Sequence, residues 1–244
     1  MVTGGSRGIG AVTALLCAQQ GYAVAISYAS NAQAAQQVVQ QIQSAGGTAQ
    51  AFQADVAHEA QILRLFEQAQ QRFGRIDALV NNAGIVAPQM PVAQMTAARL
   101  QEMFTVNVIG SMLCAREAVK HMSTTQGGQG GAIVNVSSAA AKHGSAGIYV
   151  DYAASKAAID VFTLGLAREV ATQGIRVNAV RPGFIETDIH QVSGLVEQVK
   201  NVTTATVPMG RAGTAQEVAQ AIAWLLSDAA SYVTGTVMDV SGGR

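Results

Sequence analysis

The sequence carries little charge. Lysine, arginine, aspartate and glutamate make up 12% of its 244 residues, about half of the ~25% that is usual in soluble domains. Fifteen basic and fifteen acidic residues cancel to a formal net charge of zero. Proteins that bind nucleic acids usually carry a basic surface, so we expect no nucleic-acid partner. So few charges also favour a surface that is partly covered by other subunits, although alanine and glutamine could cover it equally well.

Cysteines and long apolar runs are scarce as well. Cys17 and Cys114 are far apart and form no CxxC pattern, so we expect two buried free thiols in a reducing cytoplasm and no disulfide. The four histidines lack the spacing of metal ligands, so no metal site is predicted. No apolar run reaches the ~18 residues of a membrane span, and we expect no membrane partner. The apolar segment after Arg7 is similar to a signal peptide, but the glycines around it favour a turn.

Short apolar runs alternate with longer stretches that have helical spacing. The runs are mostly continuous, as in strands that are buried on both faces of a parallel sheet. This alternation predicts an α/β fold, a doubly wound parallel sheet with helices on both faces. The predicted strands cover residues 22–27, 48–54, 76–81, 132–137, 175–180 and 236–240, and the predicted helices 32–45, 59–73, 97–122 and 152–172. A further, central strand precedes Thr3 but is oddly short, so we expect an earlier native start or a truncation.

A glycine-rich turn follows this first strand, with the sequence TGGSRGIG at residues 3–10. Glycines let backbone N–H groups approach a pyrophosphate closely, and the start of the next helix adds its positive dipole end. The spacing Gly-x3-Gly-x-Gly is only moderately specific, and a plain strand–turn–helix is the alternative. The residues predicted to bind a dinucleotide here are Gly4, Ser6, Arg7, Gly8, Ile9 and Gly10.

The residues at the carboxyl end of the next strand indicate whether the site binds NAD or NADP. NAD-binding sites usually carry an acidic residue there for the ribose hydroxyls, but this tip holds Tyr28 and Ser30, and no acid occurs before Asp55. Arg7 is the only charged side chain in the first 54 residues. Because an arginine attracts a 2′-phosphate, we predict NADP(H) as the cofactor. The alternative for Arg7 is a solvated loop arginine.

A second motif combines a tyrosine and a lysine. Tyr152 and Lys156 are four residues apart in a predicted helix, so their side chains share one face. Tyrosine has a pKa near 10, and a nearby ammonium would lower it towards the working range of an acid–base catalyst. The spacing alone is common on surface helices. Upstream, Ser137 and Ser138 end a predicted strand, where a hydroxyl could hold a substrate oxygen or simply cap a turn.

Seven motifs in order resemble those of the short-chain dehydrogenase/reductase family, and the resemblance covers essentially the whole chain. Within the family the sequence is similar to bacterial 3-oxoacyl-carrier-protein reductases and to glucose or ribitol dehydrogenases. The resemblance implies a single NADP-binding Rossmann domain over residues 1–244, with a seven-stranded sheet and a substrate lid at residues 184–208. The matching motifs lie at residues 3–10, 55–56, 81–84, 107–110, 137–138, 152–156 and 181–187.

The resemblance implies four catalytic residues. Tyr152 would be the acid in reduction and the base in oxidation. Lys156 would bind the nicotinamide ribose and lower the tyrosine pKa. Ser138, preferred to Ser137, would orient the substrate carbonyl, although it precedes the tyrosine by one residue more than is common. Asn107 would hold a water that links the lysine to solvent.

The resemblance also implies further cofactor contacts. They are Asp55 and Val56 at the adenine, Asn81, Ala83 and Gly84 beside the adenosine ribose, and Pro182, Gly183, Ile185 and Thr187 near the nicotinamide carboxamide and the diphosphate.

The expected function is an NADP(H)-dependent oxidoreductase that interconverts a carbonyl and a secondary alcohol. The substrate would be a small molecule, sugar-like or polyol-like, or a 3-oxoacyl group, and the neutral chain mildly favours the free small molecule. The family also implies a homotetramer or homodimer, packed through residues 216–227 and 236–240. The competing hypothesis is a dinucleotide-sensing regulatory or scaffold protein without turnover. A complete Ser–Tyr–Lys–Asn set argues against it, because a sensor needs no acid.

Overall fold

A computed structural model describes residues 1–186 and 206–244 of the chain. Six strands lie in these ranges: β1 (Val24–Tyr28), β2 (Ala49–Gln53), β3 (Ala78–Asn81), β4 (Gly131–Val136), β5 (Ile175–Pro182) and β6 (Val237–Val240). The helices there are α1 (Gly8–Gln19), α2 (Ala32–Ser44), α3 (Glu59–Phe73), α4 (Ala97–Phe104), α5 (Ser111–Met122), α6 (Ala140–His143), α7 (Val150–Val170) and α8 (Ala215–Leu226).

The strands form a parallel sheet whose central strand is reduced to a single bridged residue. β2 pairs with β1 on one side, and β3, β4, β5 and β6 pair in that order on the other. Val2 joins the two parts through parallel bridges to Ile26 and Val80. Its N–H donates to the Ala25 carbonyl at 2.8 Å, and the N–H of Thr3 donates to Val80 at 3.0 Å. The predicted central strand is therefore present as one bridged residue, which completes seven strand positions.

Two apolar clusters cover the two faces of the sheet. Neighbouring residues of β4 point to opposite faces, because side chains alternate along a strand. Val134 belongs to the cluster with α1, α2 and α8, whereas Ile133 belongs to the cluster with α3, α5 and α7. Helices on both faces explain why the strand runs are continuously apolar. The predicted doubly wound α/β fold is confirmed.

The two cysteines lie in different clusters. Cys17 of α1 and Cys114 of α5 are both buried free thiols, as predicted. Burial raises the pKa of the Cys114 thiol to about 12. Both cysteines therefore behave as small core residues rather than as reactive thiols.

The carboxyl ends of the strands lie along one edge of the sheet. Tyr28, Asn81, Val136 and Pro182 end β1, β3, β4 and β5. In open parallel sheets this is the edge where ligands bind. The predicted helix at residues 97–122 is divided here into α4, a π-helical turn at Thr105–Gly110, and α5. Of the helices in the two described ranges, none combines the length and the hydropathy that crossing a bilayer requires.

Candidate active site

Tyr152 lies in the first turn of α7 and faces the loop that follows β4. Its half-buried side chain interacts with the Ser138 side chain, whose Oγ accepts a hydrogen bond from the N–H of Ala140 at 3.1 Å. Ser137 is turned the other way, because its Oγ is buried and donates to the Lys156 carbonyl at 3.1 Å. Of the two serines, only Ser138 therefore brings its hydroxyl to the tyrosine.

Burial dominates the protonation of the tyrosine and the lysine. It raises the pKa of Tyr152 to about 12, against the opposing effect of the Ser138 hydrogen bond. It lowers the pKa of Lys156 to about 8, although the charge of Asp160 acts in the opposite direction. The lysine is 5% exposed, donates from Nζ to the Val136 carbonyl at 2.8 Å, and lies 5.7 Å from the centre of the tyrosine ring. Burial has the largest effect on the tyrosine pKa, and the lowering of that pKa by Lys156 stays a prediction.

Asn107 lies in the π-helical turn between α4 and α5 and is fully buried. Its side chain pairs with the backbone of Ile85, accepting from the N–H at 2.8 Å and donating to the carbonyl at 3.0 Å. It also donates to Ser155 Oγ at 3.1 Å, and that hydroxyl donates to the Tyr152 carbonyl at 2.7 Å. A Cβ on Gly84 would lie 3.2 Å from Asn107 Oδ1 and 3.4 Å from Lys156 Nζ. Asn107 thus links the loop after β3 to the turn that carries the tyrosine.

The glycine turn precedes the first turn of α1. Gly8 begins the helix with φ +55°, a conformation that side chains other than glycine's rarely adopt. At Gly10 a Cβ would lie 2.5 Å from the Gly4 carbonyl oxygen, so only glycine fits. No side chain caps this helix start, and no acidic residue lies in its first turn. Its N–H groups and dipole therefore fit a pyrophosphate.

The loop after β3 braces this turn. Asn82 Nδ2 donates to the carbonyls of Thr3 and Gly4, both at 3.0 Å. In return, Thr3 Oγ1 accepts from the N–H groups of Asn82 and Ala83, also at 3.0 Å. Asn82 lies inside the motif at residues 81–84, which the family resemblance places beside the adenosine ribose, and these hydrogen bonds to the glycine turn were not predicted. These four hydrogen bonds hold the glycine turn at the edge of the sheet.

The residues predicted to bind the 2′-phosphate lie beside the end of β1. Tyr28 is half-buried and Ser30 is exposed. The neighbouring Asn31 caps α2, since its Oδ1 accepts from the Ala34 N–H at 2.9 Å. Arg7 is exposed, and its guanidinium has no hydrogen-bond or ion-pair partner among residues 1–186 and 206–244. The tip of β1 carries no acid that would repel a phosphate.

The remaining residues predicted to contact the cofactor differ in how deeply their side chains are buried. Asp55 Oδ1 accepts from the Ala57 N–H at 2.9 Å at the end of β2, and Val56 beside it is buried. The Asn81 side chain is also buried and donates to the Ser111 carbonyl and to Asn135 Oδ1, both at 3.0 Å. Strand alternation thus turns the Asn81 side chain into the interface between the sheet and α5, and the packing of this residue beside the adenosine ribose stays a prediction.

The segment after β5 is fixed by backbone contacts. A Cβ on Gly183 would lie 2.8 Å from the Cα of Ser241, so the two backbones pass close to each other beyond Pro182. Ile185 is buried and pairs with Gly213 in a parallel bridge. Thr187 and most of the predicted lid fall within residues 187–205, which lie outside the described residues.

A buried ion pair stands immediately before the tyrosine. Arg99 of α4 contacts both carboxylate oxygens of Asp151, at 2.7 and 3.3 Å. The Asp151 side chain is fully buried, and the hydrogen bonds from Arg99 hold the pKa of this carboxyl low against the effect of burial. Arg99 also donates to the Pro88 carbonyl at 2.8 Å. The pair ties α4, the loop after β3 and α7 together, and no local sequence pattern indicated it.

Comparison with known proteins adds three similarities. The family model described as enoyl-(acyl carrier protein) reductase matches residues 4–244. The chain is 55% identical to the uncharacterized oxidoreductase YgfF of Escherichia coli K12, over all of this chain and 98% of that protein. It is 40% identical to cis-4-hydroxycyclohexanecarboxylate dehydrogenase of Sinomonas cyclohexanicum, over all of this chain and 94% of that one.

A solved structure is similar in fold and sequence. A short-chain dehydrogenase from Burkholderia cenocepacia J2315 in complex with NADP superposes with a TM-score of 0.91 at 33% identity. The match covers 99% of this chain and 95% of that one.

Proposed function

The chain belongs to the short-chain dehydrogenase/reductase family, whose members use NAD(P), and from this premise we propose that it interconverts a ketone and a secondary alcohol with NADP(H). The protein is thus an oxidoreductase that acts on alcohol or carbonyl groups. The observation that carries the finer proposal is the position of the Ser138 hydroxyl beside Tyr152 and the buried Lys156. A hydroxyl pair of this kind can hold one oxygen atom of a substrate.

The two hydroxyls have separate tasks in the proposed reaction. Tyr152 transfers its proton to the carbonyl oxygen during reduction and takes it back during oxidation. Ser138 donates a hydrogen bond to the same oxygen and so stabilises the charge that develops on it.

The cofactor would supply the hydride when it is bound. The N–H groups at the start of α1 would hold its diphosphate, and Lys156 would hold the nicotinamide ribose. Asn107 supports the lysine and tyrosine through Ser155 and the loop at Ile85. The uncapped helix start and its lack of acidic residues are the features that support this binding mode.

We propose NADP(H) rather than NAD(H) as the cofactor. Arg7 supports this choice, because its exposed guanidinium lies at the glycine turn without a carboxylate partner among the described residues. Tyr28 supports it as well, because it stands at the strand tip where an acid would repel the 2′-phosphate. The similar dehydrogenase from Burkholderia cenocepacia is in complex with NADP.

The purified protein should consume NADPH in the presence of at least one carbonyl compound. The test is the loss of nicotinamide absorbance with a panel of sugars, cyclic ketones and a 3-oxoacyl thioester, and the reverse reaction with NADP and the matching alcohols. Tight NADPH binding without turnover of any compound would contradict an enzyme and favour a dinucleotide sensor.

We also propose that the protein forms a homotetramer or homodimer through α8 and β6. Among the described strands, β6 pairs only with β5, so its other edge offers unpaired backbone groups. Trp224 on α8 is 40% exposed, and α8 packs against β6. A two-fold contact needs one self-complementary patch of this kind.

Light scattering at micromolar concentration should give a mass of at least two subunits, and Trp224→Glu should lower it, because a carboxylate would be buried in the contact. Leu63→Glu is the matched control, since Leu63 on α3 is 44% exposed on another surface. A monomeric wild type would contradict the proposed assembly.

A further inference from the structure

An ion pair that the proposed reaction does not use stands directly before Tyr152. The Asp151 side chain is fully buried, and the side chain of its partner Arg99 is 11% exposed. Burying two charges costs solvation free energy, and a buried pair often adds no net stability over apolar side chains of the same volume. What such a pair can do instead is fix the arrangement of the elements that it joins.

The guanidinium of Arg99 joins two segments that lie beside the tyrosine. Its Nε and Nη2 donate to the two carboxylate oxygens of Asp151, at 2.7 and 3.3 Å, and its Nη1 donates to the Pro88 carbonyl at 2.8 Å. Next to this contact, the Met90 N–H donates to the Ile148 carbonyl at 2.8 Å. This part of the loop after β3 is thereby held against the start of α7, and the rigid fork of the guanidinium sets the geometry of the contact.

The same loop is attached at its beginning as well. Asn107 exchanges two hydrogen bonds with the backbone of Ile85 and donates to Ser155 Oγ at 3.1 Å. Ser155 Oγ in turn donates to the Tyr152 carbonyl at 2.7 Å. Arg99 therefore holds the turn of Tyr152 at its beginning, and Asn107 holds it further along α7, through Ser155.

The first turn of α7 has no side-chain cap at its N-cap residue. The helix begins at Val150, and the side chain of the preceding Tyr149 makes no capping hydrogen bond. The first N–H groups of a helix lack partners within the helix, so an uncapped start is less stable. Asp151 is the acidic residue of this first turn, where a negative charge also interacts favourably with the helix dipole. Because Tyr152 is the next residue, its position depends on how firmly this turn is held.

We propose that Arg99 is a positioning residue for Tyr152, which through Asp151 and Pro88 holds the first turn of α7 and the loop after β3 at the spacing that proton transfer to the substrate requires. The inference rests on the proposed function, because it concerns the acid of that reaction. Proton transfer needs a donor and an acceptor within hydrogen-bond distance, and a displacement of about 1 Å can lower the rate ~100-fold. Arg99 itself takes up and gives up no proton.

The test measures kcat separately from cofactor binding. Arg99→Met should lower kcat by about ten- to a hundred-fold, whereas the Kd for NADPH should stay near its wild-type value, because the glycine turn lies on another element. Turnover is expressed per NADPH-binding site, so that a smaller folded fraction does not count as a loss of rate. Arg99→Lys should restore part of kcat, since its ammonium can still pair with Asp151 but lacks the fork that also reaches Pro88. An unchanged kcat, or an equal loss of kcat and of NADPH affinity, would overturn the inference.

A double variant covers the case in which Arg99→Met does not fold. The single substitution leaves the buried carboxylate of Asp151 without its partner, which is strongly destabilising. Arg99→Met/Asp151→Leu replaces both charges with apolar side chains, a change that buried ion pairs often tolerate. It should show the same fall in kcat, because the directed hydrogen bonds are still missing. A wild-type kcat in the double variant would mean that the two charges only neutralise each other, and it would refute the positioning role.

Arg116→Met is the matched control. Arg116 also joins two helices through carboxylates, because its Nη2 contacts Glu117 of its own helix α5 at 2.7 Å and Glu59 of α3 at 2.8 Å. This variant should keep the wild-type kcat. A fall in kcat like that of Arg99→Met would show a general effect of losing an ion pair between helices, and it would contradict the proposal.

Hydrogen exchange separates this inference from the proposed function. If no compound is reduced, the proposed function fails, and the exchange of the amides of residues 150–156 is then followed by mass spectrometry in the same variants. Faster exchange confined to this turn and to the loop at residues 85–90, in whichever of Arg99→Met and the double variant folds but not in Arg116→Met, would support the positioning role. Unchanged exchange there, or a rise spread over the whole protein, would refute it.

Discussion

Replacement of Tyr152 with phenylalanine should lower the turnover rate by about 10²- to 10⁴-fold, the usual contribution of a positioned proton donor. Phenylalanine keeps the ring that packs edge-on against Tyr149. It removes the proton of the proposed acid and the interaction of its hydroxyl with Ser138. NADPH affinity should change little, because the hydroxyl serves the substrate. The rate is measured with any ketone that the wild type reduces, and NADPH affinity by fluorescence titration.

Tyr22→Phe is the control for this substitution. Tyr22 is half-buried like Tyr152 but packs against the apolar cluster of α1, α2 and α8. Loss of its hydroxyl should leave turnover near the wild-type value. Near-normal turnover of Tyr152→Phe would contradict the proposed acid and leave the family assignment untouched.

Replacement of Arg7 with alanine should weaken NADPH binding by roughly ten- to a hundred-fold and leave NADH binding nearly unchanged. A hydrogen bond to a charged group contributes about 1.5–3 kcal/mol, and about 1.4 kcal/mol corresponds to a tenfold change in affinity. The effect is specific to NADPH because only this cofactor carries the 2′-phosphate. Titration of both reduced cofactors checks the prediction.

Arg64→Ala is the matched control. Arg64 is an exposed arginine of α3 whose side chain donates to the Ala60 carbonyl of its own helix. Its removal should change neither cofactor's affinity. The companion substitution Tyr28→Asp should move preference towards NADH, through repulsion of the phosphate and capture of the ribose hydroxyls. Equal kcat/KM values for NADH and NADPH in the wild type would contradict the proposed preference.

Much of the fold was predictable because it depends on neighbouring residues. Alternating apolar runs and helical stretches indicated strands and helices in the correct order, and the glycine turn indicated where α1 begins. The tertiary structure altered the details that depend on distant partners. Val2 alone completes the centre of the sheet through Ile26 and Val80, and no pattern within residues 1–3 encodes those partners.

Site residues were predictable where a rule connects spacing to position. Side chains four residues apart share a helix face, and the ends of parallel strands share an edge, so Tyr152 and Lys156 could be paired and Ser138 assigned near them. Their chemical roles stay predictions. The partners of the Asn81 side chain were not predictable in this way, because the Ser111 carbonyl and Asn135 reach it only in the assembled sheet.

By itself, the sequence determined the family, the order of elements and the motifs, since these are properties of consecutive residues. Only the tertiary structure decided which distant groups meet and how deeply they are buried. It paired Arg99 with Asp151, placed the Arg244 guanidinium over the Phe184 ring, and raised the pKa of Tyr152 to about 12. The physical reason is that desolvation and ion pairing depend on separations in space, which many distant packing contacts set together.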